Sequence, residues 1–294
     1  MKKCGYVALI GQPNAGKSTL MNTLLNYDLS IVNPKVQTTR NKIIGVLSED
    51  DYQVVFIDTP GIFEPKTELQ RFMFEELRSS FNEADIILIL IDGSKFNHTN
   101  EEKFRTLFSK ELNNKKIIVA FNKIDIIEQS KTEEIIANLK SDFGYDTIVP
   151  VSALIKFNTD VLKKLIVNSL PESEFYFDEE TLSDKPEKFF ISEIIREKIL
   201  ELYAEEIPYS VFVDIREFKE RENGKDYINA DIILERDSQK KILIGRGGKM
   251  IKILGQKART EIEKFRGREV YLNLFVKIRK DWRKDKKFLK ENFT

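Results

Sequence analysis

The stretch Gly11-Gln-Pro-Asn14-Ala15-Gly16-Lys17-Ser18-Thr19 carries residue types suited to holding a phosphate chain. It fits G-x-x-x-x-G-K-[ST] at every fixed position. Gly11 and Gly16 let the backbone turn tightly, so that successive N–H groups from Asn14 to Thr19 converge on an anion at the positive end of the following helix. Lys17 adds a fixed positive charge at the outer phosphates, and the Ser18 hydroxyl can ligate the magnesium that accompanies them. The plain alternative is a glycine-rich turn before an ordinary helix. An apolar run at 6–10 and helical periodicity at 19–25 supply the strand–loop–helix context that favours a nucleoside triphosphate.

Three further clusters can complete such a site. Asp58-Thr-Pro-Gly61 follows an apolar run, and its aspartate can hold magnesium through the ion's water shell while the Gly61 N–H approaches a terminal phosphate. Taken alone it is a common turn sequence. In Asn122-Lys123-Ile-Asp125 the Asp125 carboxylate can accept from the N1–H and 2-amino group of guanine, donors that adenine lacks. Asn122 can tie this loop to the phosphate loop or meet the base, and the Lys123 stem can cover the base face. Ser152 and Ala153 close a later apolar run, where a backbone N–H can meet the guanine O6. Between these clusters, Asn33-Pro-Lys-Val-Gln-Thr38-Thr39-Arg40 offers a threonine to close over magnesium and the γ-phosphate; Thr39 is favoured and Thr38 is the alternative. Lys17, Thr39 and Gly61 are the candidates for direct action on the reacting phosphate.

A different chemistry is written near the C-terminus. Gly245-Arg246-Gly247-Gly248 fits G-x-x-G, a spacing that lets a single-stranded RNA backbone approach two helix N-termini. It lies between two helical patterns and is flanked by Lys240, Lys241, Lys249 and Lys252. Ile242, Ile244, Ile251 and Leu254 can line a groove beneath bases or belong to the core. The candidate RNA contacts are Lys241, Ile244, Gly245, Arg246, Gly247, Gly248, Lys249 and Lys252. Trp282, among the cations of the tail, can stack on a base or anchor the terminal helix.

The elements that must position these groups fall into two sets. Apolar runs at 6–10, 52–57, 86–91, 116–121 and 147–151 alternate with helical patterns at 17–25, 67–82, 101–112, 132–143 and 159–170. That alternation predicts an α/β domain with a mostly parallel sheet, helices on both faces and ligands at the carboxyl ends of strands. A strand at 43–48 hairpins onto 52–57 as an antiparallel edge. Residues 171–188 form an acidic, proline-bounded linker, whose Phe175-Tyr-Phe177 suggests partial packing on a domain. From 189 the order is helix, strand, strand, helix, helix, strand, with Asn223-Gly224 as a hairpin signal. The domains read as 1–170, linker 171–188, and 189–294.

Composition narrows the classes. Cys4 and His98 are the sole residues of their types, which excludes a disulfide framework and Cys/His zinc sites within one chain. His98 lies in a polar stretch read as a surface loop. No secretory leader is visible, and the longest aliphatic run, 86–91, is too short to span a bilayer; a reducing cytosol is the expected compartment. The formal charge of zero hides an asymmetry. Residues 236–294 hold 19 Lys+Arg against 7 Asp+Glu, a balance of +12, while the other 235 residues hold 29 against 41, or −12. A basic tail on an acidic body points to a polyanionic partner for the C-terminal part.

These motifs, in this order, resemble the translation-factor-related class of GTPases. Gly11-x-Pro-Asn14-x-Gly-Lys-Ser18, Gln37-Thr-Thr-Arg40 and Asp58-Thr-Pro-Gly61 are similar to its Era branch. The second half resembles a KH domain of the prokaryotic arrangement, so the fold class is a P-loop GTPase domain followed by an α+β KH domain. The resemblance covers essentially the whole chain, with a single P-loop. It implies GTP and GDP with magnesium as cofactors, and hydrolysis as the activity. It also implies single-stranded RNA near the 3′ end of 16S ribosomal RNA as the target, a role in small ribosomal subunit assembly, a monomer, and peripheral contact with the inner membrane. By the same resemblance Asn14 helps to place potassium near the phosphates; otherwise it braces the loop. Ile62 stands where Ras-like GTPases carry a water-orienting glutamine, and it cannot hydrogen-bond a water. Slow basal turnover, raised by potassium or a partner, is expected. The alternative reading is a membrane-associated signalling GTPase whose KH-like module binds protein or anionic lipid. An ATP-dependent P-loop kinase is disfavoured by Asn122–Asp125.

Overall fold

The structure, a computed structural model, describes residues 2–35, 38–204, 207–222 and 224–293. Gln37 of the Gln37–Arg40 motif and Asn223 of the hairpin signal lie outside the described residues. The chain divides into two compact units, Met1–Lys66 with Gln70–Asp184, and Thr67–Leu69 with Lys185–Thr294.

The first unit contains β1 (Lys3–Gly11), α1 (Lys17–Leu25), β2 (Ile43–Glu49) and β3 (Tyr52–Asp58), then α2 (Glu68–Glu83) and β4 (Ile86–Asp92). α3 (His98–Leu107), α4 (Ser109–Leu112), β5 (Lys116–Asn122), α5 (Gln129–Phe143), β6 (Ile148–Pro150) and α6 (Thr159–Ser169) follow. The sheet order is β2-β3-β1-β4-β5-β6, parallel throughout except for the β2–β3 hairpin at the edge. Val7, Leu9, Leu88 and Ile118 are as deeply buried as their neighbours Ala8, Ile10, Ile87 and Val119. Both sheet faces are therefore covered, which is why these strands read as continuous apolar runs rather than alternating ones. Leu77 and Phe81 of α2, Phe104 of α3 and Leu139 of α5 join the core on one face. α1 and α6 pack on each other and on strands of the sheet. Cys4 is buried in β1.

Two expectations need correction here. The polar stretch around His98 is the start of α3 rather than a loop, because the Asn97 side chain accepts the backbone N–H of Asn100 at 3.1 Å and caps the helix. The helix expected at 101–112 is broken at Phe108 into α3 and α4. The stretch after α6 lies along the sheet edge. Gln53 Oε1 accepts the N–H groups of Tyr176 and Phe177 at 2.9 and 3.0 Å, Val46 N–H donates to Leu182 O at 2.9 Å, and Tyr176 stacks on Tyr6. The Val46 N–H of the edge strand β2 is thereby satisfied.

The second unit runs α7 (Glu187–Leu202), α8 (Ile207–Ser210), β7 (Phe212–Lys219), β8 (Asp226–Leu234), α9 (Asp237–Ile244), α10 (Lys249–Arg266), β9 (Val270–Ile278) and α11 (Lys286–Phe293). β8 pairs antiparallel with β7 and parallel with β9. Ile228, Ala230, Ile232 and Leu234, two residues apart on β8, meet Ile191, Ile195 and Ile199 of α7 and Leu254, Ala258 and Ile262 of α10. This period-2 burial is that of a sheet with helices on one face. Trp282 is fully buried; its Nε1 donates to Ser210 O at 3.0 Å, and its ring lies among Phe212, Phe288 and Phe293. That location removes the base-stacking option and leaves the anchoring one.

Candidate functional site

At the carboxyl ends of β1 and β3 the phosphate-loop residues converge. Gly16, at φ 100°, occupies the left-handed region, and a Cβ there would lie 2.4 Å from Asn122 Nδ2, so both conformation and space require glycine. A Cβ on Gly11 would meet the carbonyl oxygen of Leu90 at 2.5 Å. Lys17 is buried and its Nζ donates to Gly11 O and Gln12 O at 3.0 and 3.1 Å. Burial pushes the Lys17 ammonium down to about 8, with Asp58 opposing the shift. An ammonium held by two neutral carbonyls in a desolvated place is a strong attractor for phosphate.

Ser18 Oγ donates to Asp58 Oδ2 at 2.7 Å and lies 3.0 Å from Thr39 Oγ1, which is itself 3.5 Å from the same carboxylate oxygen. Thr38 also lines the cavity, but its hydroxyl donates to Lys35 O at 2.6 Å. The pair at 38–39 therefore brings Thr39, and not Thr38, to Ser18. Asp58 is fully buried, burial raises its pKa, and its Oδ1 has no hydrogen-bond partner among the described residues. A carboxylate with one oxygen shared by two hydroxyls and the other unbonded is a hard-oxygen donor set, which suits magnesium. No group of three or more His, Cys, Asp or Glu able to hold a metal occurs among the described residues.

Asn14, at φ 64°, donates from Nδ2 to Pro34 O at 2.9 Å and so ties the phosphate loop to the segment that carries Thr39. Gly61 packs against Pro13, where a Cβ would stand 2.7 Å from the Pro13 nitrogen, and Ile62 N–H donates to Gly11 O at 3.1 Å. Ile62 itself packs against the sheet core.

The base end is assembled from β5 and the loop after β6. Asn122 Nδ2 donates to Ala15 O at 2.8 Å, and its Oδ1 accepts Ala153 N–H at 2.9 Å. Both of its polar atoms are thus engaged with backbone, so Asn122 ties the loop to the phosphate loop, with one N–H of its amide still unused. Lys123 donates to Asp92 Oδ2 at 2.7 Å. Asp125 is exposed on the turn Ile124–Ile126, and Ser152 is buried.

One cavity of about 520 Å³ joins these ends, lined by Asn14, Gly16 to Thr19, Thr39, Gly61, Asn122, Lys123, Asp125, Ser152 and Ala153. Gly11, Ala15 and Asp58 are buried and do not contribute to its wall. The volume suits a nucleotide-sized ligand. Lys95, Ile126 and Leu154 also line it, the last two 65% and 76% exposed. Ile126 and Leu154 directly follow Asp125 and Ala153 in the chain, whereas Lys95, which no motif marked, arrives because β4 lies between β1 and β5 in the sheet. Lys95 also lines a neighbouring apolar cavity of about 570 Å³ with Ile62, Phe63, Phe74 and Phe104.

In the second unit Gly245–Gly248 links α9 to α10, with Gly245, Gly247 and Gly248 all at positive φ of 73°, 61° and 75°. Lys241, Arg246, Gly247, Lys249 and Lys252 are exposed, while Ile244, Gly245 and Gly248 are half-buried. The four isoleucine and leucine candidates divide: Leu254 is core, Ile251 packs against the core, Ile244 is half-buried and Ile242 is 57% exposed. Tyr203 Oη donates to Leu243 O at 2.8 Å and satisfies an end carbonyl of α9 just before the glycines.

Comparison with known proteins bears on both units. Residues 6–123 match the family model described as 50S ribosome-binding GTPase, and residues 206–283 match that of the KH domain. The chain is 40% identical over 298 residues to GTPase Era of Caldanaerobacter subterraneus subsp. tengcongensis, covering 98% of this chain and 97% of that one. It is 41% identical over 286 residues to GTPase Era of Lacticaseibacillus paracasei, covering 97% and 95%. Among solved structures it is similar to Era in complex with MgGDPNP and nucleotides 1506–1542 of 16S ribosomal RNA, at a TM-score of 0.95, 40% identity and 99% coverage of each chain. A variant of Aquifex aeolicus Era bound to GDP.AlF4- matches at a TM-score of 0.94 and 40% identity, covering 99% of this chain and 98% of that one.

Proposed function

The chain belongs to the Era family of GTPases, and from that premise we propose that its nucleotide cycle times the hold of its KH domain on ribosomal RNA. As a GTPase it converts GTP and water to GDP and phosphate. The observation that carries the nucleotide reading is the cluster of Ser18, Thr39 and the buried Asp58 carboxylate, whose Ser18 and Thr39 members line the same cavity as Asp125. Ser18, Thr39 and Asp58 would hold magnesium, which when bound neutralises charge on the phosphate oxygens. Lys17 exchanges its two carbonyl partners for phosphate, and the N–H groups of Asn14 to Thr19 cradle the chain. Gly61 meets the terminal phosphate through its N–H. Asp125 reads the guanine edge, Lys123 covers the base, and Ser152 and Ala153 close the pocket behind it.

Catalysis in this reading is mainly electrostatic. Ile62 has no group to orient water, so Lys17, Thr39 and the loop N–H groups carry the stabilisation of developing charge. Basal turnover is slow, and potassium held near Asn14 raises it. A rate that is fast and indifferent to potassium would overturn this part.

The Era structure with nucleotides 1506–1542 of 16S ribosomal RNA supports the same 3′ region as the target here. Lys241, Ile244, Gly245 to Gly248, Lys249 and Lys252 form the contact surface, the glycines admitting the backbone and the lysines its phosphates. We place the protein on assembling small ribosomal subunits, as a cytoplasmic monomer with peripheral contact to the inner membrane. No helix among the described residues is long and apolar enough to cross a membrane. Cross-linking the bound RNA with a GTP analogue present, then sequencing it, tests the target: enrichment of the 3′ end of 16S ribosomal RNA is expected. Recovery of liposomes in place of small subunits in sedimentation would favour the membrane-signalling alternative.

A further inference from the structure

Asp92 is the last residue of β4, and its two carboxylate oxygens do different things. Oδ1 accepts from Ser94 N–H at 3.1 Å and Ser94 Oγ–H at 2.6 Å, closing the turn Gly93–Lys95. Oδ2 accepts from Lys123 Nζ at 2.7 Å. The Asp92 side chain is 10% exposed and that of Lys123 30%, so the pair is shielded from full solvent screening. In the sheet register Asp92 stands directly beside Asn122, which places the carboxylate one residue from the lysine it holds.

Lys123 has φ 66°, a left-handed conformation that residues with a Cβ avoid. Such a backbone persists where its surroundings over-determine it. Here the ties are the Asp92 pair, the Asn122 hydrogen bonds and the turn bond from Ile126 N–H to Lys123 O at 3.2 Å. Gly93 adds a steric tie, since a Cβ there would lie 2.5 Å from both Phe121 Cζ and Ile127 Cδ1. The turn after β4 and the turn after β5 therefore lock together.

We propose that Asp92 is a positioning residue for nucleotide binding. It pins the Lys123 ammonium so that the lysine stem is ordered across the cavity wall before a base arrives, and through the turn Ile124–Ile126 it fixes the bearing of Asp125. An unpinned lysine would lose its rotamer freedom on binding instead, and affinity would fall accordingly. The inference rests on the reading of Asn122 to Asp125 as the guanine loop.

The test is isothermal titration of the full-length protein with GDP and with a non-hydrolysable GTP analogue. Asp92→Asn keeps the shape and the Ser94 bonds but loses the ion pair. It should raise both dissociation constants by the same factor, roughly tenfold, while kcat at saturating GTP changes less than threefold. Lys123→Met, which keeps the apolar stem, should show a similar loss, and adding Asp92→Asn to it should cost nothing further. Ser94→Ala should leave both affinities unchanged. Independent, multiplying losses in the double variant, or a Ser94→Ala loss equal to that of Asp92→Asn, would reassign Asp92 to capping its own turn and overturn the proposal. Should Asp92→Asn not fold, an unchanged affinity in Lys123→Met alone would do the same. Asp125→Asn separates the two levels: if it leaves GTP affinity intact the guanine-loop reading falls, whereas a large Asp125→Asn loss beside a silent Asp92→Asn removes this inference alone.

Discussion

The side-chain amide of Asn122 donates to the carbonyl of Ala15 at 2.8 Å, joining the carboxyl end of β5 to the phosphate loop that follows β1. The same amide accepts Ala153 N–H from the loop after β6, so one side chain holds three loops in one arrangement. Asn122→Ala strips partners from two buried backbone groups. A stability loss of about 2–4 kcal/mol in the nucleotide-free protein is expected, with GTP and GDP affinity falling together. Thermal unfolding and nucleotide titration check this; a variant that melts with the wild type would mean water replaces the amide.

Guanine selectivity should reside in one carboxylate. Asp125→Asn replaces an acceptor pair with one acceptor and one donor, leaving the guanine 2-amino group or N1–H facing an N–H. GTP affinity should drop at least a hundredfold while xanthosine triphosphate, whose 2-oxo group accepts, gains; this is the order expected when a polar edge loses its partner. Competition binding with the two nucleotides measures it directly.

Nucleotide binding should take up a proton at alkaline pH. Burial lowers free Lys17 to about 8, and a polyphosphate beside it favours the charged form. Roughly three-quarters of Lys17 is neutral at pH 8.5 in the free protein and must be protonated in the complex. Affinity then declines as pH rises from 8 to 9.5. Calorimetry in buffers of different ionisation enthalpy should report this uptake at pH 8.5, little at pH 6.5, and none in Lys17→Met.

A buried pair off the nucleotide cavity gives a stability prediction with a sign. Tyr145 Oη donates to Glu101 Oε1, a carboxyl whose pKa burial raises and the tyrosine lowers. A raised folded-state value means the folded protein binds the proton more tightly than the unfolded chain, so stability declines as pH climbs from 4.5 through that value. Tyr145→Phe removes the main support of the ionised form. Its destabilisation should be small near pH 4.5 and reach about 1–3 kcal/mol at pH 7.5. Equal losses at both values would show that Glu101 is not the group responsible.

RNA binding should follow counterion release. Lys249→Gln should weaken single-stranded RNA binding across sequences and lower the slope of log affinity against log salt by about 0.7, one phosphate contact. Gly247→Asp, at φ 61° and beside the backbone path, should abolish binding while leaving GTP affinity intact. A salt slope unchanged in Lys249→Gln would move the lysine off the RNA.

The residues of the phosphate loop could be read directly from the chain because its chemistry is local: successive backbone N–H groups, one lysine and one hydroxyl must be consecutive to surround one anion. The same holds for Gly245–Gly248 between its helices, and for the strands of the first unit, whose two-sided burial leaves unbroken apolar runs. Asp92 and Lys95 were invisible because sheet order, not chain order, brings them to the guanine loop and the cavity. β4 inserts between β1 and β5, and only that placement sets Asp92 against Lys123 and Lys95 beside the phosphate loop. The threonine pair shows the same division. Either hydroxyl satisfies the pattern at 38–39, and only the packed structure brings Thr39 to 3.0 Å from Ser18 and turns Thr38 back to Lys35. Residue types and local spacing determined which chemistries were available; three-dimensional adjacency, a product of strand order and steric exclusion at Gly16, Gly61 and Gly93, decided which side chains meet.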